Sequence, residues 1–149
     1  SGPFLVVPGD TICHLDYRSL IDFHQKSGGP ASVSFSTLYR LEVGIAEIDK
    51  EQRIQRFYEK ANLNRPVSTG AYVLDQRIFP YIEHFEPWGH SVDLPGDVFP
   101  YMLERNIPVY GFISDYQWWD VGRISDYEEL AELSPGEAGR IFKWEALPV

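Results

Sequence analysis

Two aspartates lie in turns that follow apolar runs, and together their chemistry is that of a hard-metal site. Asp10 ends the stretch Phe4-Leu-Val-Val-Pro-Gly-Asp10, and Asp120 lies within Trp118-Trp-Asp-Val-Gly122. Two carboxylates suit Mg²⁺, which takes few protein ligands and leaves positions for substrate phosphates. An ion so held neutralises charge on a reacting phosphoryl group. Spacing alone does not bring the two together, and Asp10 taken by itself reads first as the cap of a turn or of a following helix. Glu59-Lys60 is a second candidate pair. Neighbouring strand residues face opposite ways, so both serve one site only where a strand end twists. Otherwise they are a solvated charge pair. Cys13 and His14 adjoin Asp10 but lack the further, regularly spaced ligands of a transition-metal site. They read as a loop thiol and a loop imidazole. His24, His84 and His90 have no evident partner in the sequence. Trp118 and Trp119 have the surface to stack a base, although core packing is the commoner use of tryptophan. The chain has no Walker A sequence, no Gly-x-Ser-x-Gly and no dinucleotide fingerprint.

The elements that must position these residues follow from periodicity. The unbroken apolar run at Phe4 suits a strand buried on both faces, and Gly9 allows a sharp turn at its carboxyl end. Open α/β sheets bind ligands just outside such ends, which is where Asp10 falls. Residues 16–27 read as a helix with an apolar face of Leu20, Ile21 and Phe23, an Asp16 N-cap and a stop at Gly28-Gly29-Pro30. Residues 31–38 alternate as a strand. Residues 43–48 and 53–60 pair as a hairpin across the turn at 49–52. Residues 69–74 form a buried strand, 77–84 and 97–105 helices, and 108–113 a strand. Residues 118–122 read as a tight acidic turn. Residues 125–133 read as a helix with Ser125 as N-cap and Glu128 at the capping-box position. Strands alternating with helices and one hairpin give an α/β class with a mixed sheet.

Composition bounds the functions. One domain is the expectation for 149 residues, and 44% hydrophobic with 15% aromatic residues describes a globular chain. A net charge of −9 argues against a nucleic-acid partner, which needs a basic face. An anionic small substrate remains compatible where a metal or local cations offset the charge. The single Cys13 excludes an intrachain disulfide. No apolar run approaches the ~20 residues of a membrane span, and no signal peptide is evident at the start. The expectation is a cytoplasmic protein without a membrane partner.

Taken together, the segments resemble the sugar-1-phosphate nucleotidyltransferases, mannose-1-phosphate guanylyltransferases among them. The Phe4–Asp10 stretch is similar to that family's apolar strand ending in Asn-Gly-Asp. Residues 16–24 resemble its Asp-Leu-x-x-Leu-x-x-Phe-His helix, and Gly44-Ile-Ala-Glu-Ile-Asp49 its Tyr-Gly-Val-Val-x-x-Asp. Phe57-Tyr-Glu-Lys60 resembles Phe-x-Glu-Lys-Pro, Thr69-Gly-Ala-Tyr72 resembles Asn-Ala/Thr-Gly-x-Tyr, and Asp97-Val-Phe-Pro100 resembles Asp-x-Phe-Pro. Residues 119–127 resemble Trp-x-Asp-x-Gly-Thr-Pro-x-Asp-Tyr. Seven matches in order span Phe4 to Tyr127.

The resemblance implies a mixed, mostly parallel sheet flanked by helices, as an incomplete Rossmann-like nucleotide-diphospho-sugar transferase fold. It implies Asp10 and Asp120 as Mg²⁺ ligands and catalytic residues. Glu59 would bind sugar hydroxyls, and Lys60 the sugar phosphate of a hexose-1-phosphate or NDP-sugar. Gly44 and Gly70 would let backbone approach the sugar, and Ser68 and Thr69 would lie beside them. The implied reaction moves a nucleotidyl group from an NTP to a hexose-1-phosphate and releases pyrophosphate, with mannose and GTP ranked ahead of glucose with dTTP or UTP. The family's opening Gly-rich loop, which holds the triphosphate, is absent here. Residues 1–149 are therefore expected to be the C-terminal part of such a domain, without turnover alone. Pro8, Ala61, Ser68, Leu41-Glu-Val43 and Gly122-Arg-Ile also depart from the family pattern. They motivate the alternative of a non-catalytic binding or regulatory module. The Phe4 strand, without strands before it, would stand at a sheet edge and invite self-association or a partner chain.

Overall fold

Asp16 starts the first helix because its side chain does what the first turn of a helix requires. Its carboxylate accepts from the backbone N–H groups of Arg18 and Ser19 at 3.0 and 3.1 Å, and from the Ser19 hydroxyl at 2.7 Å. Helix α1 (Tyr17–Ser27) ends where Gly28 turns left-handed at φ 74°, a conformation that costs glycine little. The computed structural model describes residues 2–39, 43–59, 65–85, 91–122 and 124–133, with positions 136 and 139.

The strands are β1 (Phe4–Val6), β2 (Thr11–Cys13), β3 (Ala31–Ser36), β4 (Ile45–Ile48), β5 (Ile54–Tyr58), β6 (Val67–Leu74), β7 (Val109–Ser114) and β8 (Trp118–Asp120). They make a four-stranded sheet in the order β1-β6-β3-β7, a β2-β8 pair and the β4-β5 hairpin. The α/β class and the mixed sheet are as expected. The parallel majority is not: β6 runs antiparallel to both β1 and β3, and only β3-β7 is parallel. The first strand is also not buried on both faces. It is an edge strand among the described residues, with Phe4, Leu5 and Val7 exposed.

Alternation along β6 and β3 divides the core. Tyr72, Leu74, Ala31 and Val33 face one side. There they pack against Ile78, Val98, Phe99 and Met102, carried by a 3₁₀ turn (Gln76–Ile78), a π-helical turn (Leu94–Val98) and helix α3 (Phe99–Glu104). Helix α2 (Phe79–Glu83) follows the 3₁₀ turn directly, so the helix expected at 77–84 is split in type. Ala71 and Val73 face the other side, beneath α1, with Leu15, Leu20 and Tyr116. The polar positions of β3 also face α1. Ser32, Ser34 and Ser36 are fully buried. Each is hydrogen-bonded: Ser32 to His24 Nδ1 at 3.0 Å, Ser34 to the Ala71 carbonyl at 3.0 Å, and Ser36 to the Tyr116 carbonyl at 2.6 Å. Helix α4 (Ile124–Glu132) begins before the expected cap, so Ser125 lies within it.

His24 makes the α1 packing pH-dependent. The ring is buried and stands 3.8 Å from an Asp75 carboxylate oxygen. Asp75 is engaged by Arg77, whose guanidinium also donates to the carbonyls of Gly28 and Gly29 beyond α1. Burial lowers the His24 pKa, Asp75 opposes that shift and Arg77 adds to it. The folded state therefore disfavours the proton more than the unfolded chain does. This contribution is complete above the ordinary value near 6.5 and is lost as pH falls from there toward the lowered folded value. Thermal melts from pH 7.5 to 5 should show the melting temperature falling more steeply in wild type than in His24→Gln. Equal slopes would remove His24 as the source.

Candidate functional site

The device that joins Asp10 to Asp120 is the small β2-β8 ladder. Thr11 pairs with Asp120, Ile12 with Trp119 and Cys13 with Trp118. The ladder is extended at both ends: Val121 N–H donates to the Asp10 carbonyl at 2.8 Å, and His14 N–H to the Gln117 carbonyl at 3.0 Å. Buried Trp119 anchors β8, while Trp118 stacks on Tyr39 at 5.7 Å between ring centres. Residues 118–120 are thus a strand, and the turn follows at Val121-Gly122.

Asp10 is exposed and Asp120 half-buried. Asp120 Oδ1 accepts from the Gly122 N–H at 3.1 Å. A β-carbon on Gly122 would stand 3.0 Å from Asp120 Oδ1 and 3.8 Å from Asp10 Oδ2, so both carboxylates border one small space. No third His, Cys, Asp or Glu completes a metal-binding group with them among the described residues. Two carboxylates around an open space fit a hard cation that takes few protein ligands and the rest from water and substrate.

The other candidates divide. Gly44 and Glu59 meet at the open end of the hairpin, where Glu59 Oε2 lies 3.2 Å from the position of a Gly44 β-carbon and the Phe57 ring lies closer still. Ser68 is exposed at the start of β6, and its hydroxyl accepts from Gly70 N–H at 3.4 Å. Gly70 has φ 78°, and a side chain there would meet the Pro8 ring at 2.7 Å. Glycine at 70 therefore serves the packing of the Asp10 loop on β6. Thr69 does not join the group. Its side chain is buried, with its hydroxyl 2.7 Å from Ser34 Oγ and 2.8 Å from Tyr116 Oη. Alternation along β6 turns Thr69 inward where Ser68 is outward. Lys60 lies outside the described residues. The Gly122 space and the Pro8–Gly70 contact went unread in the sequence, because each is a contact between segments far apart in the chain.

A family model described as Nucleotidyl transferase matches residues 1–135. The chain belongs to the nucleotidyl transferase family. Among similar proteins of that kind, a UTP–glucose-1-phosphate uridylyltransferase of Synechocystis sp. is 30% identical over 131 residues, covering 83% of this chain and 33% of the relative. A mannose-1-phosphate guanyltransferase of Kluyveromyces lactis is 26% identical over 155 residues, covering 97% of this chain and 41% of the relative. The chain therefore spans a third to two-fifths of these two nucleotidyl transferases. A solved structure of a putative glucose-1-phosphate thymidylyltransferase from Bacillus anthracis, in complex with a sucrose, superposes with a TM-score of 0.64 at 19% identity. It covers 99% of this chain and 57% of that one, and shows the shared fold. No described helix is long and apolar enough to cross a membrane.

Proposed function

We propose that this chain carries the metal and sugar-phosphate side of a sugar-1-phosphate nucleotidyltransferase. The reaction is attack of a hexose-1-phosphate oxygen on the α-phosphorus of a nucleoside triphosphate. A new phosphorus–oxygen bond forms, the bond to the β-phosphate breaks, and pyrophosphate leaves with the electron pair. The observation that carries this reading is the convergence of Asp10 and Asp120 on the space beside Gly122. These two residues would hold Mg²⁺, which supplies neutralisation of the phosphoryl oxygens. Glu59 would accept hydrogen bonds from sugar hydroxyls, and Gly44 beside it would bring its backbone to the sugar, with the Phe57 ring packed against its α-carbon. Lys60 would meet the sugar phosphate, and Ser68 would present its hydroxyl from β6. Catalysis of this kind rests on positioning and charge neutralisation, so no general base is assigned.

In this reading residues 1–149 are one domain, the part of a nucleotidyltransferase that follows a Gly-rich triphosphate loop. Support comes from the motif order and from the lengths of the relatives. The edge strand β1 then seats another strand, from a partner chain or a second copy. Its exposed Phe4 and Leu5, and Phe4 stacked on exposed Phe79 at 5.9 Å, form an apolar border along that edge. A monodisperse monomer in light scattering would overturn the edge assignment.

Calorimetric titration with GDP-mannose, dTDP-glucose and UDP-glucose, each with and without Mg²⁺, tests the central reading. Mg²⁺-dependent binding of one of them is expected and names the product class. Absence of binding to all three would shift the reading to a non-catalytic module of the family.

A further inference from the structure

We infer that Gly122 is a positioning residue of the carboxylate pair, kept without a side chain so that Asp10 and Asp120 can share one cation. The inference rests on the metal reading above and assigns to Gly122 a role that its backbone does not require. The glycines with positive φ among the described residues are Gly28 and Gly70. Gly122 is outside that region, so an alanine can adopt its conformation without strain. Nor does the surrounding fold crowd it. Beyond its chain neighbours, and among the described residues, the atoms within 4 Å of a β-carbon at this position are the two carboxylate oxygens, Asp120 Oδ1 and Asp10 Oδ2. The position is exposed on a turn. Among the described residues, what glycine gives here is space between two acidic groups.

The same residue aims one of them. Gly122 N–H donates to Asp120 Oδ1 at 3.1 Å, which turns that oxygen back over the turn toward the Asp10 side. A carbon 3.0 Å from Oδ1 is tighter than ordinary contact, so the Asp120 carboxylate must give by a few tenths of an ångström to admit it. That displacement changes the spacing on which a shared cation depends, because Asp10 Oδ2 borders the same space at 3.8 Å. The methyl group also fills space between the two carboxylates in which a hard cation would need oxygen ligands. Gly9, on the other side of the Asp10 turn, supplies the contrast, because a β-carbon there meets nothing within 4 Å.

The test is Mn²⁺ titration of the ¹⁵N-labelled full chain, read as paramagnetic broadening of assigned amide signals, with melting temperatures for every variant. In wild type the Thr11, Val121 and Gly122 amides should broaden first, and Asp120→Asn should abolish this. Gly122→Ala should weaken Mn²⁺ binding about tenfold or more at an unchanged melting temperature, a loss of the size that supporting residues of metal sites produce. Gly122→Ser places the same β-carbon and should lose the same affinity. It serves as the second variant if alanine disturbs the amide spectrum. Gly9→Ala should match wild type. If Gly122→Ala and Gly122→Ser bind as wild type while Asp120→Asn does not, the inference is overturned and the metal reading stands. If wild type shows no localised broadening, the metal reading fails and the inference with it.

Discussion

Leu20→Ala should lower the unfolding free energy by about 3 kcal/mol, the centre of the range for deleting a fully buried leucine. Leu20 has no exposed surface and joins α1 to Leu15, Ala71, Val73 and Tyr116 beneath the sheet. The layer around it is thin. The neighbouring β3 positions on that face are serines, whose stems are short and whose hydroxyls are fixed by the hydrogen bonds to His24, Ala71 and Tyr116. They cannot lean into a cavity without giving up those bonds, so little relaxation offsets the lost contacts. Urea denaturation should show a lower midpoint at an unchanged slope. A cost below about 1 kcal/mol would mean that α1 settles onto the sheet after truncation, which the bonded serines argue against.

Thr69→Val should cost about 2 kcal/mol, although the two side chains have nearly the same shape. The Thr69 hydroxyl sits between Ser34 Oγ and Tyr116 Oη, both on buried residues. Valine leaves the Ser34 hydroxyl its bond to the Ala71 carbonyl and leaves Tyr116 its Ser34 partner, but takes from Tyr116 its 2.8 Å bond to residue 69. A buried polar group stripped of a partner retains its desolvation cost. This variant also separates structure from site. At a temperature where both proteins are folded, Thr69→Val should bind sugar nucleotide as wild type does. A well-folded Thr69→Val that loses ligand would return Thr69 to the site where the sequence motif places it.

The parts of the fold that were legible in the sequence are those specified locally. Helix α1 could be read from Asp16 and Gly28, because capping is a contact between near neighbours. The β4-β5 hairpin could be read from two short runs around a four-residue turn. The β2-β8 ladder could not. Its strands have three residues each, too few for a period, and they pair across most of the chain. That ladder is what brings Asp10 to Asp120, so the two carboxylates were identifiable by type and motif while their meeting was not. The burial of Ser32, Ser34 and Ser36 was hidden for a related reason. A small polar side chain on an alternating strand signals solvent unless the residues that satisfy it are known, and His24, Ala71 and Tyr116 come from three other segments. Thr69 shows a motif position whose side chain points into the core. A motif marks which residues adjoin a site and leaves open which of two neighbours on a strand points into it.

The order β1-β6-β3-β7 also governs when the sheet can form. Phe4 waits for Leu74, and Ala31 for both Leu74 and Val109, while only the β4-β5 hairpin closes between adjacent strands. A growing chain can therefore form the hairpin and α1 early. It cannot begin the sheet until residues 67 and 68 have emerged to pair with Ser36 and Phe35, or complete it until residue 114 has. Loop closures of that length slow assembly into the millisecond-to-second range typical of non-local sheets. Throughout that interval the apolar strand at Phe4 lacks its β6 partner. Conditions that slow synthesis after residue 36 thus lengthen the exposure of the segment best suited to capture another strand.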